Sequence, residues 1–382
     1  MMAGIYVHLP FCPYICPYCD FAKWPYRRTQ ARRYLRALLQ EVAAAPAVRG
    51  STLFLGGGTP NTLPVEDVVA VLSAARARFA IADGAEISVE VNPDAGSFAG
   101  FAQYVAAGAT RFSVGVQSFD EGELRTLGRR HSPRDVATCV AAARSAGARS
   151  VNVDLIFAVP GQTQASWRRT LESALALGVD HVSCYGLTVE EGTPYAQWQR
   201  REPSAFLDDA AEAQLYAAAI ECLEHAGFEH YEISNFARPG HRCTHNWNYW
   251  QNGEYLGLGV GAASYLAGER SVATKSLEAY CGAIEAGEPA PRERERLSPE
   301  AAVGEAIMLL LRTAEGLEVG PFNHRYGVDI VQSYRPAISR LEAAGLIETS
   351  DRRIALTPRG RFLANDVCAE FLTVPARAED RP

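Results

Sequence analysis

Three cysteines lie within the eight residues Cys12-Pro13-Tyr14-Ile15-Cys16-Pro17-Tyr18-Cys19. Thiolates are soft ligands, and this density suits a metal centre. A 4Fe–4S cluster normally takes four cysteines. With three, one iron keeps an open position, and open positions mark metals that act rather than metals that only hold a fold. Other readings stand beside this one. Free cysteine is among the most buried residue types, so the three could be core. They could belong to a zinc knuckle with a distant fourth ligand. Cys12 and Cys16 each precede proline, as in haem-thiolate sites.

Further along lie other residues that could do chemistry. Gly56-Gly57-Gly58-Thr59-Pro60 follows an apolar run, and glycines let a backbone approach a ligand closely; an ordinary turn is the plainer reading. Asp154 interrupts an apolar strand pattern, where a charge is costly unless paired. His245-Asn246-Trp247-Asn248-Tyr249-Trp250 gathers three aromatics and an imidazole. Aromatic faces suit a flat macrocycle, and histidine is a common axial ligand of haem iron. Packing of an aromatic loop, with His245 hydrogen-bonded, is the other reading, and His241 and Cys243 are rival ligands nearby. Cys139, Cys184, Cys222, Cys281 and Cys368 fall in apolar contexts and read as core.

The elements that must position these residues follow from periodicity. Gly4 to Leu9 reads as a buried strand, so the cysteines lie on the loop after it, where α/β barrels place their chemistry. Ser51–Leu55, Glu86–Val91, Arg111–Val116, Val151–Phe157 and His181–Gly186 also read as strands. Helical patterns cover residues 31–45, 65–79, 98–107, 133–146, 164–177 and 208–226, with Ser132 as an N-cap. Alternation of this kind predicts a parallel sheet. Glu229–Ile233 could extend its edge, Asn235–Ala267 reads as ordered loop, and Glu288–Ser298 as a linker. Residues 299–371 read as three helices, a small hairpin and a helix, with a winged-helix rhythm, and the tail from Thr373 as disorder.

The run Tyr6 to Cys12, the cysteine spacing and the glycine triplet resemble radical S-adenosylmethionine enzymes. With Glu90-Val91-Asn92-Pro93, Gly115-Val116-Gln117-Ser118, Asp154-Leu155-Ile156 and the His245 segment, the chain is similar to the oxygen-independent coproporphyrinogen III oxidases and their HemW-type haem-chaperone branch. The resemblance implies a partial (β/α)6 barrel, α/β in class, over 1–235. A loop and barrel extension follows over 236–290, then a small helical, winged-helix-like domain over 291–382. It implies a 4Fe–4S cluster on Cys12, Cys16 and Cys19, whose open iron binds S-adenosylmethionine and cleaves it to a 5′-deoxyadenosyl radical. Tyr6, Tyr18, Gly57, Gly58, Thr59, Glu90, Gln117, Arg129 and Asp154 are implied as contacts of that cofactor. Among them Arg129 would pair its carboxylate as a planar fork. His245 is implied as a haem ligand.

Two departures choose the branch. Phe21 stands where the oxidase has a further cysteine, and Tyr6 is expected to be almost the first ordered residue where the oxidase has a long preceding segment. Both favour a chaperone that carries haem to acceptor haemoproteins over an oxidase that decarboxylates coproporphyrinogen III. Many relatives have histidine where Ala263 stands. The net charge of −7 argues against a nucleic-acid partner. The reduced thiolates favour the cytoplasm, and no apolar run reaches the roughly 18 residues of a membrane span. Peripheral membrane contact and a homodimer are left open.

Overall fold

A computed structural model describes residues 2–95 and 99–372. The proposed helix start at Phe98 and the tail from Thr373 lie outside them. Two compact units are present. The first takes Met1–Glu229, Ser234–His245 and Glu254–Arg294; the second takes His230–Ile233, Asn246–Gly253 and Glu295–Pro382.

The first unit alternates strands and helices: β1 (Met2–Leu9), α1 (Arg28–Ala44), β2 (Arg49–Gly57), α2 (Val65–Arg78), β3 (Ile87–Val91), α3 (Gly100–Ala106), β4 (Arg111–Gln117), α4 (Pro133–Ser145), β5 (Ser150–Phe157), α5 (Gln164–Ala176), β6 (His181–Gly186) and α6 (Asp209–His225). Strands β1 to β6 pair in sequence order, all parallel. The unit continues with β7 (Asn235–Ala237), β8 (Tyr255–Leu258), β9 (Ala263–Leu266) and β10 (Glu269–Ala273). β7 lies antiparallel on β6, whereas β8 lies parallel on β1, followed by β9 and β10. The sheet order has two ends, so the barrel is open. Residues 235–267, expected as loop, therefore supply three strands, and His245-Asn246-Trp247-Asn248-Tyr249-Trp250 lies on a short helix, Thr244–Trp250. Their Gly and Asn content hid the strand pattern.

Period-two alternation sets the two faces of β1. Ala3, Ile5, Val7 and Leu9 join the core with Tyr34, Leu35 and Leu38 of α1, while Tyr6 and His8 take the opposite face. Helix ends are marked in the sequence. Ser132 and Asp135 form a capping box at α4, Thr163 and Ser166 form one at α5, and Asp208 caps α6.

In the second unit α7 (Pro299–Leu311), β11 (Leu317–Glu318), α8 (Val319–Tyr326), α9 (Arg335–Ala343), β12 (Ile347–Thr349), β13 (Arg353–Leu356) and α10 (Ala364–Leu372) surround a core of their own, with Ile307, Leu311, Ile354, Val367 and Phe371 at its centre. β13 pairs with both β11 and β12. The chain enters this unit for good between Arg294 and Glu295, inside the stretch read as linker, where Arg292–Arg296 is extended as a strand.

Candidate functional site

The cysteine loop leaves β1 at its C-terminal end and is tied down on both sides. Phe11–Cys12 pairs with Trp24–Pro25, and the Tyr26 N–H donates to the Cys12 carbonyl at 2.8 Å. From β2, Gly58 N–H donates to Leu9 O and Thr59 N–H to Phe11 O, both at 2.9 Å. The glycines here are demanded by the protein's own packing. Gly57 has φ +101° and a Cβ there would lie 2.1 Å from the His8 ring; one on Gly58 would lie 2.6 Å from Leu9 O.

Cys12, Cys16 and Cys19 are free thiols, each half-buried. Burial pushes Cys12 up to about 11 and also raises Cys19, so their thiolates need a compensating cation. A zinc ion would need every ligand on one ion at about 2.3 Å. Among the described residues no three His, Cys, Asp or Glu side chains gather that way. A four-iron cluster gives each thiolate an iron of its own. Thr59 Oγ1 donates to Cys12 Sγ at 3.5 Å, and Arg129 Nη1 to Cys16 Sγ at 3.6 Å.

Arg129 is buried and cationic. Its Nη2 donates to Asn92 Oδ1 at 2.8 Å and Gly115 O at 2.6 Å. Its Nε is buried with no partner in the structure. A buried unmade hydrogen bond from a charged group is costly, so this atom asks for an anion. The planar fork expected from the sequence is not open, because Nη2 already has two acceptors; the buried Nε–H and the second Nη1 hydrogen are the donors left for a carboxylate.

Gln117 ends β4 with φ +67°, at an irregularity in its pairing with β5. A non-glycine residue held there is strained, a feature that gathers at ligand sites. Tyr18 packs with Leu127, Ile156 and Val159, and its ring meets Tyr195 edge-on; burial raises its phenol far above the ordinary range.

The two acids lie on the strand face turned away from the hydrophobic core, the face that also carries Tyr6 and His8. Glu90 Oε2 accepts from Gly57 N–H at 2.8 Å. Burial, helped by Asp154, pushes Glu90 up to about 7 despite that bond. Asp154 accepts from Ser113 Oγ at 3.0 Å and Asn152 Nδ2 at 2.8 Å, and burial raises it as well. The polar partners expected for a charge in an apolar strand are therefore these neighbours on β4 and β5. Tyr6 O–H donates to His8 Nδ1 at 2.9 Å, because His8 Nε2 donates to Ala22 O at 2.7 Å and fixes the tautomer.

His245 sits elsewhere. Its Nδ1 is 2.7 Å from Thr52 Oγ1, near the start of β2, and its ring stacks on Phe54 at 5.2 Å. Burial lowers it to about 3, so the imidazole is neutral, the form that ligates iron. Glu86 accepts from its backbone N–H at 3.0 Å, and Glu86 also accepts from Cys243 Sγ at 3.3 Å. The structure thus brings Cys12, Cys16, Thr59, Arg129 and Asn92 into one connected group and Glu90, Gly57 and Tyr6 beside His8 into another. It places His245 about five residues down β2 from Gly57, on the order of 17 Å by strand rise. Asn92 and His8 were not singled out from sequence. Asn92 stood in the Glu90-Val91-Asn92-Pro93 motif, and His8 alternates with Tyr6 along β1, so both signals were present.

Comparison with known proteins gives a consistent picture. Residues 6–174 match the Radical SAM superfamily and residues 297–363 the HemN C-terminal domain. The chain is 34 % identical over 377 residues to the heme chaperone HemW of Bacillus subtilis, covering 97 % of this chain and 99 % of that one. It is 36 % identical over 376 residues to the heme chaperone HemW of Mycobacterium tuberculosis strain H37Rv, covering 97 % and 94 %. In fold it is similar to the coproporphyrinogen III oxidase HemN from Escherichia coli, with a TM-score of 0.85 at 24 % identity over 97 % of this chain and 90 % of that one.

Proposed function

The chain belongs to the HemW family of radical SAM proteins, and we propose that it is a haem chaperone that binds a 4Fe–4S cluster, S-adenosylmethionine and haem, and passes haem to acceptor haemoproteins. The family supports the cluster and the sulfonium cofactor. Haem and its acceptors rest on what the relatives are named for.

The observation that carries the cofactor reading is the buried Arg129, whose Nε has no partner and whose Nη1 lies beside Cys16. Cys12, Cys16 and Cys19 would hold the cluster. Bound there, cluster and S-adenosylmethionine together supply one-electron chemistry. The protein's part is positional. Arg129 Nε would receive the carboxylate of the methionyl group. Glu90 and Asp154, both inclined to keep their protons, would offer hydrogen bonds as neutral acids or become anions beside a cation. Tyr6, Tyr18, Gly57, Gly58, Thr59 and Gln117 would line the same site.

His245 is the candidate haem ligand. Ligation has to compete with its contacts to Thr52 and Phe54, so haem binding is expected to move the Thr244–Trp250 helix. No helix among the described residues is long and apolar enough to cross a membrane; delivery at a membrane would be by peripheral contact.

The test is an anaerobic haem titration followed by absorbance. Stoichiometric binding by the wild type, weakened at least tenfold in His245→Ala with unchanged circular dichroism, is expected. Absence of binding by the wild type would sink the chaperone reading. Formation of protoporphyrinogen from coproporphyrinogen III would favour the oxidase instead. Binding that survives the substitution would keep the chaperone and move the ligand.

A further inference from the structure

We propose that Asn92 is a positioning residue that joins Thr59 to Arg129 in one hydrogen-bond relay. This relay ends on the sulfurs of Cys12 and Cys16 and sets the reduction potential of the cluster they hold. The proposal rests on the cluster reading of those cysteines.

The relay can be followed atom by atom. Thr59 Oγ1 donates to Cys12 Sγ at 3.5 Å. Asn92 Nδ2 donates to Thr59 Oγ1 at 3.0 Å. Arg129 Nη2 donates to Asn92 Oδ1 at 2.8 Å, and Arg129 Nη1 to Cys16 Sγ at 3.6 Å. The sulfurs are thiols here and stand for the ligating thiolates.

Every direction in the chain is forced. A guanidinium only donates, so the Asn92 oxygen must face Arg129 and its amide nitrogen must face Thr59. Thr59 accepts from that nitrogen and keeps its own proton for Cys12. One asparagine thus aims a donor at each of two cysteines.

The surroundings hold this residue in place. Asn61 pins the Asn92 backbone on both sides, accepting from its N–H at 3.0 Å and donating to its carbonyl at 3.0 Å. Gly115 leaves room for the amide, since a Cβ there would lie 2.7 Å from Asn92 Oδ1. Thr59 and Arg129 are both buried, and hydrogen bonds shielded from water are electrostatically stronger.

A donor on a cluster sulfur offsets negative charge. It does so more in the reduced state, which carries one more electron, and so raises the potential. Aspartate at position 92 reverses this. A carboxylate still accepts from Arg129 but cannot donate to Thr59. The Thr59 hydroxyl then turns to the carboxylate and leaves Cys12, and a negative charge is added.

The experiment is anaerobic reconstitution with iron and sulfide, iron and sulfide analysis, and a redox titration of the cluster read by electron paramagnetic resonance. No S-adenosylmethionine is added. Asn92→Asp is expected to shift the potential negative, so that the reduced-to-oxidised ratio at the wild-type midpoint falls about tenfold or more. Thr59→Val is expected to shift the same way, and Thr59→Ser, which keeps the hydroxyl, to titrate like the wild type. Should Asn92→Asp lose its cluster, the Thr59 pair decides. Full iron content with an unchanged potential in Thr59→Val overturns the relay while leaving the cluster reading intact. Failure of the wild type to assemble a cluster removes that reading, and the relay with it.

Discussion

At the scale of single residues, Arg129 and Glu90 make the sharpest claims. Arg129→Lys keeps the charge but cannot reach Asn92, Gly115, Cys16 and a carboxylate together. Hydrogen bonds to charged groups are worth about 1.5–3 kcal/mol. The expected loss in S-adenosylmethionine affinity is therefore about ten- to a hundredfold by equilibrium dialysis, at unchanged iron content. Wild-type affinity in the lysine variant would dissociate Arg129 from the cofactor. Glu90 makes a claim about pH. Its folded-state value of about 7 lies above the ordinary 4.5. The folded protein therefore holds this proton where the unfolded chain has released it, and stability falls as pH rises from 4.5 to 7. Glu90→Gln can still accept from Gly57 and lacks that fall. Relative to wild type it should gain about 2–3 kcal/mol between pH 4.5 and pH 8 in urea denaturation of the cluster-free protein. A pH-independent difference would contradict the placement of Glu90. The cysteine spacing made the proposed cluster ligands legible from sequence. Asn92 was not legible in the same way, because its partners Thr59 and Arg129 lie 33 and 37 positions away and only the fold brings them to one amide.

At the scale of elements, helix stops show how sequence becomes geometry. α3, α4, α5 and α6 are each followed, two positions after their last residue, by a glycine in the left-handed region, Gly108, Gly147, Gly178 and Gly227. α2 closes with the same hydrogen bonds, Ile81 N–H to Arg76 O at 3.1 Å and Ala80 N–H to Ala77 O at 3.4 Å. Here, however, the left-handed residue is Ala80, exposed, with φ 47°. A Cβ in that region costs roughly 1–2 kcal/mol, of which glycine's extra chain entropy returns part. Ala80→Gly should therefore raise stability by about 0.5–1 kcal/mol, seen as a higher urea midpoint; a lower midpoint would contradict the cap. The glycine stops and polar caps are why the six strand–helix units could be read from sequence. β8 and β9 could not, because Tyr255 to Leu266 carries three glycines among its twelve residues, and its strands are fixed by pairing rather than by propensity.

At the scale of the molecule, two separate cores predict separable responses. Phe371 is 1 % exposed at the centre of the second core. Phe371→Ala should cost about 3–5 kcal/mol there. Hydrogen exchange across residues 299–371 should accelerate, while β1 to β6 keep their protection and the cysteines keep their iron. Equal acceleration in both units would show one cooperative body. The seat of β1 has a consequence of another kind. The strand that leads into the cysteine loop has β2 on one side and β8 on the other, both parallel. Its second neighbour is therefore made some 250 residues after it. At about 5–20 residues per second, the ribosome takes on the order of ten to fifty seconds to deliver Tyr255–Leu258. During that time β1 has one edge unpaired, and the base of the cysteine loop is not in its final seat. Loading of the proposed cluster would thus wait until about two-thirds of the chain has been made, and a nascent chain stalled before Tyr255 should be unable to retain iron however much is supplied.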